Sequence, residues 1–274
     1  PMICAITDLG YLKNPEQFSK KDYWQLKYWS AISMFLAKKI IAISKSTAKD
    51  IVRQYSFFRN KVSVTYLGYD KDQFNLNISQ NLVRRTISKL NLPKDYILYI
   101  GLLKPSKNLE GLIEGFSLLK NKYYGINLVV AGKKGWLYET IFEKVKKLNL
   151  KERVIFTDYI KEEYKAPLLK GAKAFVLPSF WEGFGIDVLS AFAVGTPVII
   201  SNVGSLPEVG GDAAIYINPY DPESIAKSID YVLGLPQREY NSLVKKGLNQ
   251  VSRFSWDKTA RETLNIMTEA IFSK

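Results

Sequence analysis

Hydrophobic positions along this chain fall in short β-branched and aromatic runs that alternate with helical patterns from one end to the other. In the first third, runs at 2–7, 40–44 and 61–68 predict three strands. Between them, 23–38 predicts a long helix, and KSTAKDIVRQY (45–55) predicts a capped one with Thr47 and Asp50 at capping-box spacing. A shorter helix is predicted at 84–90. After the break NLPKD (91–95), strands are predicted at 96–100, 126–131, 153–156, 173–177, 197–200 and 213–217. Helices are predicted at 107–120, 136–148, 162–171, 186–194, 221–234, 236–252 and 257–272. This alternation implies βαβ units around a parallel sheet. Two helix starts carry cap chemistry: Asp221 before Pro222, and Ser205 three residues before Glu208.

Composition narrows the chemistry. With 274 residues, 47% of them hydrophobic, the chain can bury one large core or two ordinary ones. It has no histidine, which excludes His-based triads and the common zinc sites. Its one cysteine, Cys4, cannot form an internal disulfide and fits a reducing compartment. No apolar run is long enough to predict a membrane span, and the start lacks the charged region of a secretory signal. The chain opens inside a strand-like run, as a cut end would. The net charge of +13 is uneven: residues 1–92 carry 15 Lys/Arg against 6 Asp/Glu. That excess fits solubility, an anionic membrane surface or a nucleic acid, but no RNA- or DNA-binding motif accompanies it and nucleic acid is not expected.

In open α/β sheets, ligands bind beyond the carboxyl ends of the strands, so three strand-to-helix loops matter. In YIGLLKPSKNLEGLI a strand ends at Gly101 and Lys107 falls in the predicted first helical turn. There it opposes the macrodipole; an anionic ligand is one compensation, an ordinary solvated lysine the alternative. In VVAGKKGWLYE, Gly132 and Gly135 bracket Lys133 and Lys134, which suits either close approach to a ligand or a plain turn. In FVLPSFWEGFGIDVLSAF, Gly183 and Gly185 open a helix just after Glu182. Free amides and a helix N-terminus suit phosphate, and a carboxylate suits hydroxyls, as a sugar carried on a diphosphate requires. A tight turn with a solvated Glu182 is the competing reading.

The segments GLLKPSKNLEGLIEGF, LVVAGKKGW, RVIFTDYI, GAKAFVLPSFWEGFGIDVLSAFAVGTPVI and SNVGSLPEVGGDAAIYINPYDPESIA occur in order and at matching distances. Together they resemble the C-terminal domain of retaining glycosyltransferases of family GT4, the group-1 mannosyl and glucosyl type. ITDLGYLKNPEQFSK and KKIIAISKSTAKDIVRQYSFFRNKVSVTYLGYD are similar to the second half of that family's N-terminal domain. The resemblance implies an α/β, GT-B architecture: two Rossmann-like domains with parallel sheets, the N-terminal one incomplete. The implied divisions are a partial acceptor-side domain at 1–92, a nucleotide-sugar domain at 93–255 and a C-terminal helix at 256–274 crossing back. It further implies that Lys107 holds the diphosphate and Glu182 the sugar hydroxyls. The amides of Phe184, Gly185 and Ile186 would lie near the sugar and phosphate, with Gly101, Gly132, Lys133 and Tyr159 around the base and phosphates, and Asp8 on the acceptor side. No metal and no cofactor are implied.

The chain departs from the family pattern in four places. The signature is Glu, seven residues, Glu, but the second position is Ser190, which offers the nucleotide ribose one weaker bond. Asp187 stands where proline is frequent, too early in the helix to replace the missing Glu. Leu102 replaces a frequent Arg, with Lys104 nearby to compensate. Thr7 precedes Asp8 where His is frequent. The expected partners are a UDP-, GDP- or ADP-sugar, a glycan or lipid-linked acceptor, and a complementing N-terminal chain. Basic and aromatic residues around 13–39 fit either contact with an anionic membrane surface or, equally, a core stripe with a solvated face; the expected location is the cytoplasm, on the membrane's inner face if that contact is made. A non-catalytic nucleotide-sugar-binding subunit of a split transferase is the rival reading.

Overall fold

The computed structural model describes residues 1–272 and divides them into two sheets, both wholly parallel. The first has the order β1-β2-β3, from β1 (Ile3–Ile6), β2 (Lys39–Ala42) and β3 (Val62–Val64). The helices α1 (Gly10–Lys13), α2 (Lys20–Leu36) and α3 (Lys45–Gln54) join these strands. After α4 (Gln80–Lys89) the chain runs β4 (Tyr96–Ile100), α5 (Leu109–Ser117), β5 (Asn127–Ala131), α6 (Glu139–Lys147), β6 (Val154–Asp158), α7 (Glu162–Gly171) and β7 (Ala174–Leu177). It continues through α8 (Ile186–Ala193), β8 (Val198–Ser201), α9 (Leu206–Gly210) and β9 (Ile215–Ile217). The last helices are α10 (Pro222–Leu233), α11 (Gln237–Val251) and α12 (Trp256–Phe272).

The second sheet has the order β6-β5-β4-β7-β8-β9. Strand order reverses between β4 and β7, which pair through Ile97 with Ala174 and Leu98 with Phe175. That reversal leaves a crevice where the loops after β4 and β7 diverge. The central strands β4, β7 and β8 are buried at every residue. Helices cover both faces of such a sheet, so its strands read as continuous apolar runs without alternation.

All nine predicted strands form; β4 keeps its predicted bounds and the bounds of the others shift by at most four residues. The helix starts differ more. α3 begins on Ser44, whose hydroxyl accepts from the Thr47 amide at 3.0 Å. Thr47 is buried, and Asp50 is drawn into an ion pair with Lys13 at 2.9 Å, so the expected Thr47–Asp50 box does not form. The Ser205–Glu208 box is also absent: Ser205 Oγ donates to the Glu182 carbonyl, and Glu208 leaves its own helix for α3. The Asp221 cap forms as expected, its side chain accepting from the Glu223 amide at 3.0 Å.

Phe74 and Leu92 join the large core of the second sheet, and α4 packs on α7, with Val83 against Gly171. The chain therefore crosses between units after β3, because the apolar face of α4 finds its partner on the second sheet. α12 packs on β2, Lys39 pairs with Glu269 at 2.9 Å, and Thr259 donates to the Tyr66 carbonyl at 2.6 Å. The predicted residues 273–274 of that segment lie outside the described residues.

The first unit buries a small core around Ile6, Leu9, Met34, Ile40, Ile51 and Phe58. Its β1 pairs only with β2 among the described residues, leaving one strand edge open. Beside that edge α2 presents Leu26, Trp29, Ile32 and Phe35 to solvent, and only Met34 of this helix is buried. No described helix is long and apolar enough to cross a membrane.

Candidate active site

Lys107 and Glu182, 75 residues apart in sequence, meet in the crevice between β4 and β7: Nζ lies 2.5 Å from Oε1. Each is placed by its own loop. Lys107 does not sit in a helical first turn. It closes a short 3-10 turn over Pro105–Lys107, and α5 starts two residues later behind Asn108. Asn108 takes a left-handed conformation (φ 53°) and is buried. Its amide nitrogen donates to the carbonyls of Pro178 (3.1 Å) and Pro219 (2.6 Å), while its oxygen accepts from the Gly111 amide. One side chain thus ties the loops after β4, β7 and β9 together. Sequence reasoning passed over it; its place immediately before an apolar helix was the available signal.

Glu182 is equally held. Ser179 donates to the same Oε1 at 2.7 Å, the Phe180 amide donates to the Ser106 carbonyl, and Ser205 donates to the Glu182 carbonyl at 3.0 Å. Both side chains of the Lys107–Glu182 pair keep partial solvent contact. The two charges offset each other in the crevice, and each has a face open toward a ligand.

Gly185 adopts φ 93° and caps α8 with no side-chain acceptor; the Val188 amide donates to the Gly185 carbonyl at 3.0 Å, and the amides of Ile186 and Asp187 have no side-chain cap. Ile186 is exposed there. Phe184 turns the other way: its ring is buried against Tyr66 and Phe254, at centroid distances of 6.0 Å to each, so only its backbone faces the site. Ser190 is buried in α8 at 2% exposure, a core position rather than a surface of the crevice. Asp187 lies nearer. Burial pushes its carboxyl pKa up and Glu182 adds to the rise, while Lys165 and Lys107 pull it down.

The two glycine loops are zipped together. Leu103 donates to the Lys133 carbonyl and Gly135 to the Leu103 carbonyl, each at 2.9 Å. A side chain at Gly132 (φ 156°) would stand 1.8 Å from the Gly101 carbonyl oxygen, so the contact requires glycine. Lys133 lies over the Tyr159 ring at 4.7 Å, and Lys104 over Trp136 at 4.9 Å. Burial, and then Lys107, lower the Lys104 pKa. Leu102 and Tyr159 are exposed along this rim.

The first unit closes over the crevice. Gly183 fits against Thr7 and Asp8, where a side chain would come within 2.6 Å of the Thr7 carbonyl. Asp8 accepts from the Gly10 amide at 2.7 Å. A cavity of about 80 Å³ remains between the units, lined by Asp8, Gly10, Lys104, Lys107, Trp181 and Glu182. The sequence-predicted residues therefore fall into one neighbourhood, with Ser190 the exception. Among the described residues no cluster of His, Cys, Asp and Glu could hold a metal ion.

Two parallel-sheet α/β units facing each other across a cleft define a GT-B protein. The profile of the family described as glycosyl transferases group 1 matches residues 83–250, and the chain belongs to that family. It is 30% identical over 269 residues to the O-antigen chain mannosyltransferase B of Escherichia coli, covering 96% of this chain and 69% of that protein. It is 27% identical to the O-antigen chain mannosyltransferase RfbU of Salmonella typhimurium, again over 69% of that protein. Among solved structures, Anabaena Alr3699/HepE in complex with UDP-glucose superposes with a TM-score of 0.84 at 16% identity, covering 98% of this chain and 72% of that one. The sucrose-phosphate synthase of Thermosynechococcus elongatus gives 0.81 at 22%, covering 99% and 68%. These likenesses show the fold.

Proposed function

We propose that the chain transfers a hexose of mannose or glucose type from a nucleoside-diphosphate sugar to a glycan or lipid-linked acceptor, with retention of configuration. The Lys107–Glu182 pair carries the reading: at 2.5 Å, one ligand can touch an ammonium and a carboxylate together. Lys107 and the uncapped amides of α8 neutralise the diphosphate, and Glu182 accepts from the hexose hydroxyls. The names of the relatives (mannosyltransferases) and of a structural neighbour bound to UDP-glucose support the donor class.

In the proposed reaction the bond from the sugar's C1 to the diphosphate oxygen breaks and its electron pair leaves with the diphosphate. The acceptor oxygen forms the new bond to C1 on the same face, and its proton passes to the departing diphosphate. The protein supplies position and charge neutralisation. Tyr159, Lys133 and the Gly101–Leu102 loop border the nucleotide, and Asp8 faces the acceptor. This chemistry asks for no metal ion, so turnover should persist in EDTA. The test is a thermal-shift panel of UDP-, GDP- and ADP-sugars. A ligand at a hundredfold excess over its Kd stabilises the native state by about 2.7 kcal/mol. A flat response to every donor would overturn the reading. The anomeric configuration of the product, read by NMR, tests retention.

The open β1 edge and the apolar face of α2 favour a second reading of how the chain works. Unpaired parallel strands and exposed Trp29, Ile32 and Phe35 suit a further βα unit packed alongside. On this reading the chain is the donor-binding part of a split transferase and turns over only with that unit. Donor hydrolysis measured with and without the complementing segment separates the two. Binding of the chain to anionic vesicles instead would assign the α2 face to a membrane.

A further inference from the structure

Trp181 stands next to Glu182, and its indole N–H is buried with no hydrogen-bond partner among the described residues. An indole nitrogen can only donate, and a buried donor left unpaired is rare enough to require a reason. The ring is firmly placed. Lys13 lies over it at 5.1 Å, held by Asp50, and its far edge packs against Gly204. The opposite edge, carrying Nε1, faces Gly10 of the first unit.

The position a side-chain carbon would take at Gly10 lies 2.9 Å from Asp8 Oδ1 and 3.5 Å from Trp181 Nε1. Glycine leaves that position empty. A carboxylate and an orphaned donor therefore look onto one spot, at the wall of the interdomain cavity that Lys107 and Glu182 also line. One hydroxyl beside that spot can accept from Nε1 and donate to Oδ1. A phosphate cannot satisfy both, because Asp8 repels it.

We infer that Trp181 and Asp8 form a two-point seat for a sugar hydroxyl of the acceptor, and that Trp181 is a specificity-determining residue of the transfer. The inference rests on the transferase reading above. Trp181 belongs to the donor-side unit and Asp8 to the other, so the seat is complete only when the cleft is closed. Closure without an acceptor leaves the indole N–H unsatisfied, and an acceptor hydroxyl supplies the missing bond.

The test is Trp181→Phe, which keeps an aromatic ring under Lys13 and removes the N–H. With the donor identified by thermal shift and octyl α-mannopyranoside as the acceptor probe, water is the competing acceptor. The ratio of transfer to hydrolysis should fall about tenfold, the order of one lost hydrogen bond. Gly10→Ala, which fills the seat with a methyl group, should lower the same ratio. An unchanged ratio overturns the inference. A wild type that binds no donor overturns the transferase reading instead.

Discussion

The Glu208 carboxylate caps a helix in the other unit: Oε1 accepts from the Ser46 amide at 2.6 Å and Oε2 from the Lys45 amide at 2.8 Å. Tyr66 donates to Oε2 at 2.9 Å, from the segment where the chain crosses between the units. A negative charge at the N-terminus of α3 satisfies its free amides and complements its dipole. The second unit thus grips the first at the hinge. Glu208→Ala should lower stability by about 1.5–3 kcal/mol, the worth of hydrogen bonds to a charged group. Chemical denaturation reads the loss, and small-angle scattering should show a larger radius of gyration as the units separate.

Removing Lys107 leaves Glu182 with its bond from Ser179 and takes the only ammonium from the carboxylate it touches. Lys107→Ala should weaken donor binding and raise the barrier by about 2.7–4 kcal/mol, as loss of one preorganised donor does elsewhere. Rates of donor consumption measure this, and turnover with unchanged donor affinity would disconnect Lys107 from the diphosphate.

Asp187 makes stability depend on pH with a definite sign. Its carboxyl pKa is raised on folding, first by burial and then by Glu182. The native state therefore binds this proton more tightly than the unfolded chain, and stability is lost as pH rises from the ordinary value through the folded one. Asp187→Asn should raise Tm at neutral pH. The gain should shrink as pH falls and vanish below about 4, where both states are protonated. Melting curves of the pair across that range check the sign.

Gly132→Ala tests the seam between the glycine loops. The added carbon meets the Gly101 carbonyl at 1.8 Å and the backbone conformation disfavours any side chain. The loss should exceed the roughly 1 kcal/mol of a common substitution, and Lys133 and Lys104 should both move, visible as weaker donor binding in the same thermal-shift assay.

Continuous β-branched and aromatic runs were enough to find every described strand, because a parallel sheet covered on both faces demands them. Glycines at 101, 132, 183 and 185 marked the strand-to-helix loops that meet at the crevice. The helix starts were less legible. Thr47–Asp50 and Ser205–Glu208 both had the spacing of a capping box, yet Asp50 and Glu208 pair with residues elsewhere, Lys13 within the first unit and the α3 amides across the cleft. A spacing rule sees one helix, and a carboxylate takes the best donor in reach. The loop NLPKD looks like a linker, yet α4 before it already packs on α7 of the second unit.

The sequence by itself determined the succession of strands and helices and the identity of the loops at their carboxyl ends, since periodicity and turn chemistry act over a few residues. The tertiary structure decided which loops meet. Lys107 touches Glu182 because β4 lies beside β7, and Trp181 faces Asp8 because the two units close on each other. Those contacts span tens of residues, so strand order and domain closure set them, and neither is written in any local pattern.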